Sequence, residues 1–154
     1  MGGRYGVKSK GFVKSLGARV EEFIDGREFT VLVVDNPDDF SKPLVYPPAE
    51  LIFPVGETFL HVHVKWQKWV YLKPIPDEAL ASKLMEMTHK MYLTLHGVGY
   101  ARCDIRMRAD GELVMIEINP NPGILFKPEH LGPADVAMTR ALRLGSLIQS
   151  SSCC

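Results

Sequence analysis

The sequence predicts an α+β fold, a mainly antiparallel sheet with flanking helices, and three observations carry that expectation. Asp-Gly occurs twice between runs of β-branched and aromatic residues, at 25–26 in VEEFIDGREFTVLVV and at 110–111 in YARCDIRMRADGELVMIEIN. That dipeptide favours a two-residue hairpin turn. From Asp77 to His96, Leu80, Leu84, Thr88, Met91 and Leu95 recur every three to four residues, the period of a helix with one buried stripe. The order of elements, hairpins, then a helix, then a hairpin and a helix, argues α+β with segregated layers.

Each element follows in order. The first dozen residues, rich in Gly and Lys, and the tail SLIQSSSCC are expected to be poorly structured. The Asp25-Gly26 turn predicts two strands, pairing Ile24 with Arg27 and placing Glu21, Phe23, Glu28 and Thr30 on one face. After the loop NPDDFSKP come two strand-like runs, LVYPPAELIFP and ETFLHVHVKWQKWVYL, the second alternating with Phe59, His61 and His63 on one side. The helix of 77–96 has Pro76 before it and Gly97 after it. The second Asp-Gly hairpin follows, and PADVAMTRALRLGSLIQ closes the chain as an amphipathic helix with Pro133 near its start.

At 154 residues and 46% apolar content, one domain with a real core is expected. Eighteen basic and eighteen acidic side chains cancel, so the overall field favours neither nucleic acid nor an anionic membrane surface. Three cysteines, Cys103 and the terminal Cys153-Cys154 pair, make neither a disulfide framework nor a zinc spacing. The apolar runs are short and MGGRYGVKSKG lacks a secretory core, so a cytoplasmic protein is expected.

The second hairpin poses a chemical problem. If Ala109 pairs with Glu112, then Asp104 faces Glu117, Arg102 faces Asn119 and Arg106 faces Met115 on one side, while Cys103, Ile105, Val114, Ile116 and Ile118 fill the other. Directly opposed carboxylates lie about 5 Å apart at Cβ and repel, so neutralising either one is expected to cost little stability. One resolution is a solvated face on which Arg102 and Arg106 neutralise them. The other is a divalent cation: two carboxylates and the Asn119 amide oxygen are hard ligands for Mg²⁺, or Mn²⁺, which shares its shell with phosphate, and Arg102 beside them would meet phosphate or a developing oxyanion.

Four stretches in this order, VEEFIDGREFTV at 20–31, VKW at 64–66, GYARCDIR at 99–106 and IEINPNPG at 116–123, resemble the C-terminal part of the ATP-grasp ligases, most closely the D-alanine–D-alanine ligase group. The resemblance covers roughly residues 18–135. It implies an ATP-grasp C-terminal subdomain over 18–148, with 1–17 as a flexible segment or lid remnant and 149–154 as a frayed tail. It also implies an ATP- and Mg²⁺-dependent carboxylate–amine ligase working through an acyl phosphate on an amino-acid or carboxylate substrate. By position, Asp104, Glu117 and Asn119 match the metal ligands, Arg102 the arginine at the transferred phosphate, and Lys65 a basic residue of the loop over the phosphates. Glu21, Glu22 and Ile24 match positions contacting adenine largely through backbone, Glu28 the ribose ligand, Phe59 and Ile116 the residues that sandwich the base, and Gly123 a backbone N–H near the second substrate. A carboxylate such as Glu28 would use its two oxygens for the two ribose hydroxyls.

Several features depart from the family's pattern. After Gly123 the chain reads ILFKPEHLGPAD, without the Ser-Leu pair of D-alanine-adding members, and Arg106 stands where many relatives carry an apolar residue against the base. The family's N-terminal substrate-binding domain is expected to lie outside these residues, so a missing half, a partner chain or a homodimer is part of the expectation. The alternative is a non-catalytic nucleotide-binding remnant or module. His61 and His63 form an H-x-H pair without a third ligand, Trp66 and Trp69 are expected to anchor a loop, and Cys103 on the apolar face is not a catalytic thiol.

Overall fold

The computed structural model describes residues 21–59, 71–124, 132 and 134–139. The expectations for YGVKSKG, for His61, His63, Lys65, Trp66 and Trp69, and for the C-terminal tail lie outside these residues.

A six-stranded antiparallel sheet organises the described chain. Its strands are β1 (Arg27–Val34), β2 (Leu44–Val45), β3 (Ala49–Ile52), β4 (Tyr71–Pro74), β5 (Tyr100–Met107) and β6 (Leu113–Asn119), and α1 (Glu78–Thr94) lies between β4 and β5. The order across the sheet is β4-β3-β1-β5-β6, with β2 also paired to β1. The run expected at 44–54 divides into β2 and β3 around Pro47 and Pro48, because proline cannot donate to a ladder. In the second run, Glu57–Phe59 form no strand.

The first hairpin is not formed. Residues 21–25 are not a strand, because both edges of β1 are taken by partners from elsewhere: β5 along its whole length on one side, β3 and β2 on the other. Gly26 has φ 139°, and a Cβ there would sit 2.0 Å from the carbonyl oxygen of Met107. Glycine thus lets the chain pass against the end of β5.

α1 buries Leu80, Leu84, Thr88 and Tyr92, a stripe of every fourth residue. Tyr92 therefore takes the place expected for Met91, and Leu95 is exposed. Asp77 caps the N-terminus, accepting from the Leu80 N–H at 3.0 Å. At the other end His96, not Gly97, adopts the left-handed conformation, with φ 53°. The Gly97 N–H bonds the Tyr92 carbonyl at 2.9 Å and the His96 N–H bonds that of Leu93 at 3.1 Å, the pattern of a Schellman cap. Gly97 is required for a different reason, since a Cβ would meet the Tyr92 ring at 2.4 Å.

Phe29, Val31, Cys103 and Ile105 alternate onto one face of β1 and β5 and form the main core with Leu80 and Leu84 of α1. On the opposite face Leu32 packs with Ala134 and Ala137 of the helical segment at 134–139. The remainder of that face carries Glu28, Thr30, Arg102, Asp104 and Arg106.

The second hairpin reaches its expected pairing by an unexpected route. Its loop has three residues, 109–111: Arg108 N–H bonds the Glu112 carbonyl at 2.9 Å, and Gly111 takes φ 88°. A type I turn followed by a left-handed glycine is the usual three-residue hairpin. This shifts the pairs near the turn, so Ile105 faces Met115 and Arg106 faces Val114. A bulge between Asp104 and Ile105 in the register then restores Asp104 opposite Glu117 and Arg102 opposite Asn119. Two consequences correct the expected faces. Met115 and Leu113 join the helix side in place of Val114, and Ile116, the extra residue of the bulge, is 42% exposed instead of core.

Candidate functional site

Two arginine–carboxylate pairs sit on the face away from α1. Alternation along β5 points Arg102, Asp104 and Arg106 to this side, and β1 places Leu32, Thr30 and Glu28 directly across from them. Arg102 meets Asp104 in a parallel fork, with Nε donating to Oδ1 at 2.9 Å and Nη2 to Oδ2 at 2.7 Å. Thr30 Oγ1 donates to Asp104 Oδ1 at 3.0 Å. Glu117 lies outside this group, its Oε1 3.8 Å from Arg102 Nη2 and its side chain 57% exposed. Asn119 folds its Oδ1 back onto the Asn121 N–H at 2.9 Å.

The second pair has a different geometry. Arg106 gives both Nε, at 2.9 Å, and Nη2, at 2.7 Å, to the single oxygen Glu28 Oε2. Its Nη1 donates to the Ile24 carbonyl at 2.6 Å and its Nη2 also donates to the Thr58 carbonyl. The guanidinium lies 5.1 Å from the centre of the Phe23 ring, which meets Phe59 edge-on at 6.1 Å. Phe23 and Glu28 thus come together as expected for one face, through Arg106 and without a hairpin.

Electrostatics separate the two pairs. Burial pushes the Glu28 carboxyl above its ordinary value, and the Arg106 hydrogen bonds only partly offset this. For Arg102 burial is the largest influence and works against the charge, yet the Asp104 hydrogen bonds together with the charges of Asp104, Glu117 and Glu28 outweigh it, and the guanidinium is held more basic than usual. Burial likewise raises the Cys103 thiol to about 12, which keeps it protonated and unreactive.

The other expected site residues distribute as follows. Glu22 pairs with Arg108 Nη1 at 3.0 Å, and Glu21 is exposed. Ile24 is buried, Phe59 is 47% exposed and Gly123 is exposed. Asp104, Glu117 and Asn119 share one face with Arg102 through the register. Two features were missed. Thr30 supports Asp104 and Arg106 supports Glu28, and both contacts run between β1 and β5, strands 74 and 78 residues apart at these bonds. No local pattern signals such a pairing; only the alternation of polar residues in REFT and CDIR hinted at it.

The donor set suits magnesium. Two carboxylates and an amide are hard oxygen ligands, and Asp104, with about four lone-pair positions, makes three hydrogen bonds. Among the described residues no three His, Cys, Asp or Glu side chains cluster to hold a metal, so an ion here would rest on two carboxylates with amide and water completing its shell. Glu28 fits a ribose less simply than expected: Oε2 is taken twice by Arg106, which leaves Oε1 to accept from both hydroxyls.

The antiparallel sheet with a helix on one face matches the fold of solved ATP-grasp ligases. The solved D-alanine–D-alanine ligase of Bacillus anthracis in complex with ATP aligns with a TM-score of 0.56 at 19% identity, covering 79% of this chain and 34% of that one. VanG D-Ala:D-Ser ligase of Enterococcus faecalis aligns with the same TM-score at 21% identity, covering 77% and 33%. Residues 12–127 match the family model for the D-ala D-ala ligase C-terminus, and the chain belongs to that family. The D-alanine–D-alanine ligase of Lactococcus lactis subsp. cremoris is 32% identical over 107 residues, which are 68% of this chain and 29% of that enzyme. The chain therefore spans about a third of the length of the relatives it matches. Among the described residues no helix is long and apolar enough to cross a membrane.

Proposed function

We propose that this chain is the ATP-binding portion of a cytoplasmic ATP- and Mg²⁺-dependent carboxylate–amine ligase that acts on an amino-acid or other small carboxylate substrate. The observation that carries this reading is the register that sets Asp104 opposite Glu117 and Arg102 opposite Asn119, on the face of the sheet away from α1. Asp104, Glu117 and Asn119 would hold a magnesium ion, which would neutralise charge on the phosphates. Arg102 offers a fixed donor array for the negative charge that builds as a carboxylate takes the γ-phosphate and an amine displaces it from the acyl phosphate. Glu28 accepts the ribose hydroxyls, the backbone at Glu21, Glu22 and Ile24 meets the base, and Phe59 and Ile116, both exposed apolar side chains, flank it. The family resemblance assigns Lys65 to the phosphates and the Gly123 N–H to the second substrate. The domain extends over 18–148.

A second reading is a nucleotide-binding module that does not turn over alone and works with a partner chain or a second copy. The fork between Arg102 and Asp104, which engages both carboxylate oxygens, favours it. Titrating the purified chain with ATP, with and without Mg²⁺, and measuring ADP release with a panel of amino acids separates the two. Magnesium-dependent binding with amino-acid-stimulated ADP release is the expected result. Binding without stimulated release supports the module, and no binding refutes both.

A further inference from the structure

Glu28 is 8% exposed, yet only one of its carboxylate oxygens is bonded. Among the described residues no donor reaches Oε1. Thr88 Oγ1 is the one buried side-chain polar atom without a partner among the described residues, so Oε1 is not sealed in; it lies open at the edge of the pair, where a ligand donor can reach it. The cause is the way Arg106 binds. A guanidinium commonly meets a carboxylate through two parallel bonds to two oxygens, as Arg102 does with Asp104. Arg106 instead directs two donors at Oε2 and two more at the carbonyls of Ile24 and Thr58. One side chain on β5 thereby fastens β1, the segment at 21–25 and the loop at 54–59 around Glu28.

We propose that Arg106 is a positioning residue for ribonucleotide recognition: it holds Glu28 by one oxygen, keeps Oε1 available to vicinal hydroxyls, and pins the two flanking segments into a preformed cleft. This rests on the nucleotide-binding reading above. Preorganisation of this kind places the ordering cost in folding instead of binding. A shorter or single-point side chain cannot reproduce it. Methionine has no donor, and lysine keeps the charge but cannot span three acceptors lying in different directions.

The test compares dissociation constants for ATP and for 2′,3′-dideoxy-ATP, each with magnesium, in the full chain and in R106M and R106K. The unaltered chain is expected to prefer ATP by about tenfold or more, the size of a hydrogen bond to a charged group. In R106M that preference should fall towards one, and R106K should lie between. A merely structural role would weaken both nucleotides by the same factor and leave the ratio unchanged. An unchanged ratio in R106M that retains a native circular-dichroism spectrum overturns the proposal; if R106M does not fold, an unchanged ratio in R106K does so. Should the unaltered chain bind ATP without preferring it to the dideoxy analogue, the positioning role fails while nucleotide binding stands. If it binds neither, both fall.

Discussion

Arg102 and Arg106 sit two residues apart on one strand, point to the same side, and each meets a carboxylate at 2.7 Å, yet the two pairs behave differently. At Arg102 the fork is matched, Thr30 adds a third bond to Asp104, and the attraction exceeds the desolvation of the guanidinium. At Arg106 the carboxylate is more deeply enclosed and only half engaged, and desolvation dominates Glu28. The first pair is closed upon itself; the second engages one carboxylate oxygen and leaves the other open. What distinguishes them is the number of oxygens engaged and the acceptors competing for each guanidinium, not their distance or sequence context.

Breaking the closed pair should have the largest effect. Asp104→Asn leaves the nearly buried Arg102 without its counter-charge, and equilibrium denaturation is expected to show a loss of about 3–5 kcal/mol. This replaces the expectation that removing a repelling charge is cheap, because the structure makes Asp104 the partner of Arg102 before it is the neighbour of Glu117. Magnesium-dependent ATP binding should fall with it.

Glu28→Gln should cost less, about 1–3 kcal/mol, because a neutral group there avoids the desolvation that a charge suffers. The pH dependence follows with a definite sign. The folded-state carboxyl is raised above its ordinary 4.5, so the folded protein binds a proton that the unfolded chain has already released. Glu28 therefore contributes more stability below that value and less as pH rises through the raised one. Urea unfolding across mildly acid pH should show Glu28→Gln lacking this decline; parallel curves for the two proteins would contradict it.

The smallest effect is expected at Glu117, the exposed member of the opposed carboxylates. Glu117→Gln should change stability by no more than about 0.5 kcal/mol, while raising the magnesium concentration needed for ATP binding. A larger stability change would show that Glu117 supports the Arg102 fork despite the 3.8 Å separation.

Much of this arrangement was legible in the residues. The helix was announced by its three-to-four-residue repeat and by Pro76 and Gly97 at its ends, and Asp104 was expected opposite Glu117. That pairing holds because two local irregularities cancel: the three-residue loop ending in Gly111 displaces the register by one, and the bulge at Ile116 returns it. Neither was visible in the pattern, since Asp-Gly serves two- and three-residue loops alike and an apolar residue such as Ile116 reads as core. The failed hairpin at 25–26 has the same origin. Its turn signal was sound in isolation, but β5 and β3 took both edges of β1.

The sequence by itself determined the helix that begins after Asp77, the strands that became β1, β5 and β6, the alternation along β1 and β5, and the family to which they belong, because periodicity and turn chemistry act between near neighbours. Tertiary structure alone decided that Thr30 supports Asp104 and that Arg106 holds Glu28 by a single oxygen. A strand edge or a buried charge takes the partner that the whole sheet brings to it, and that partner lies on a distant stretch of chain.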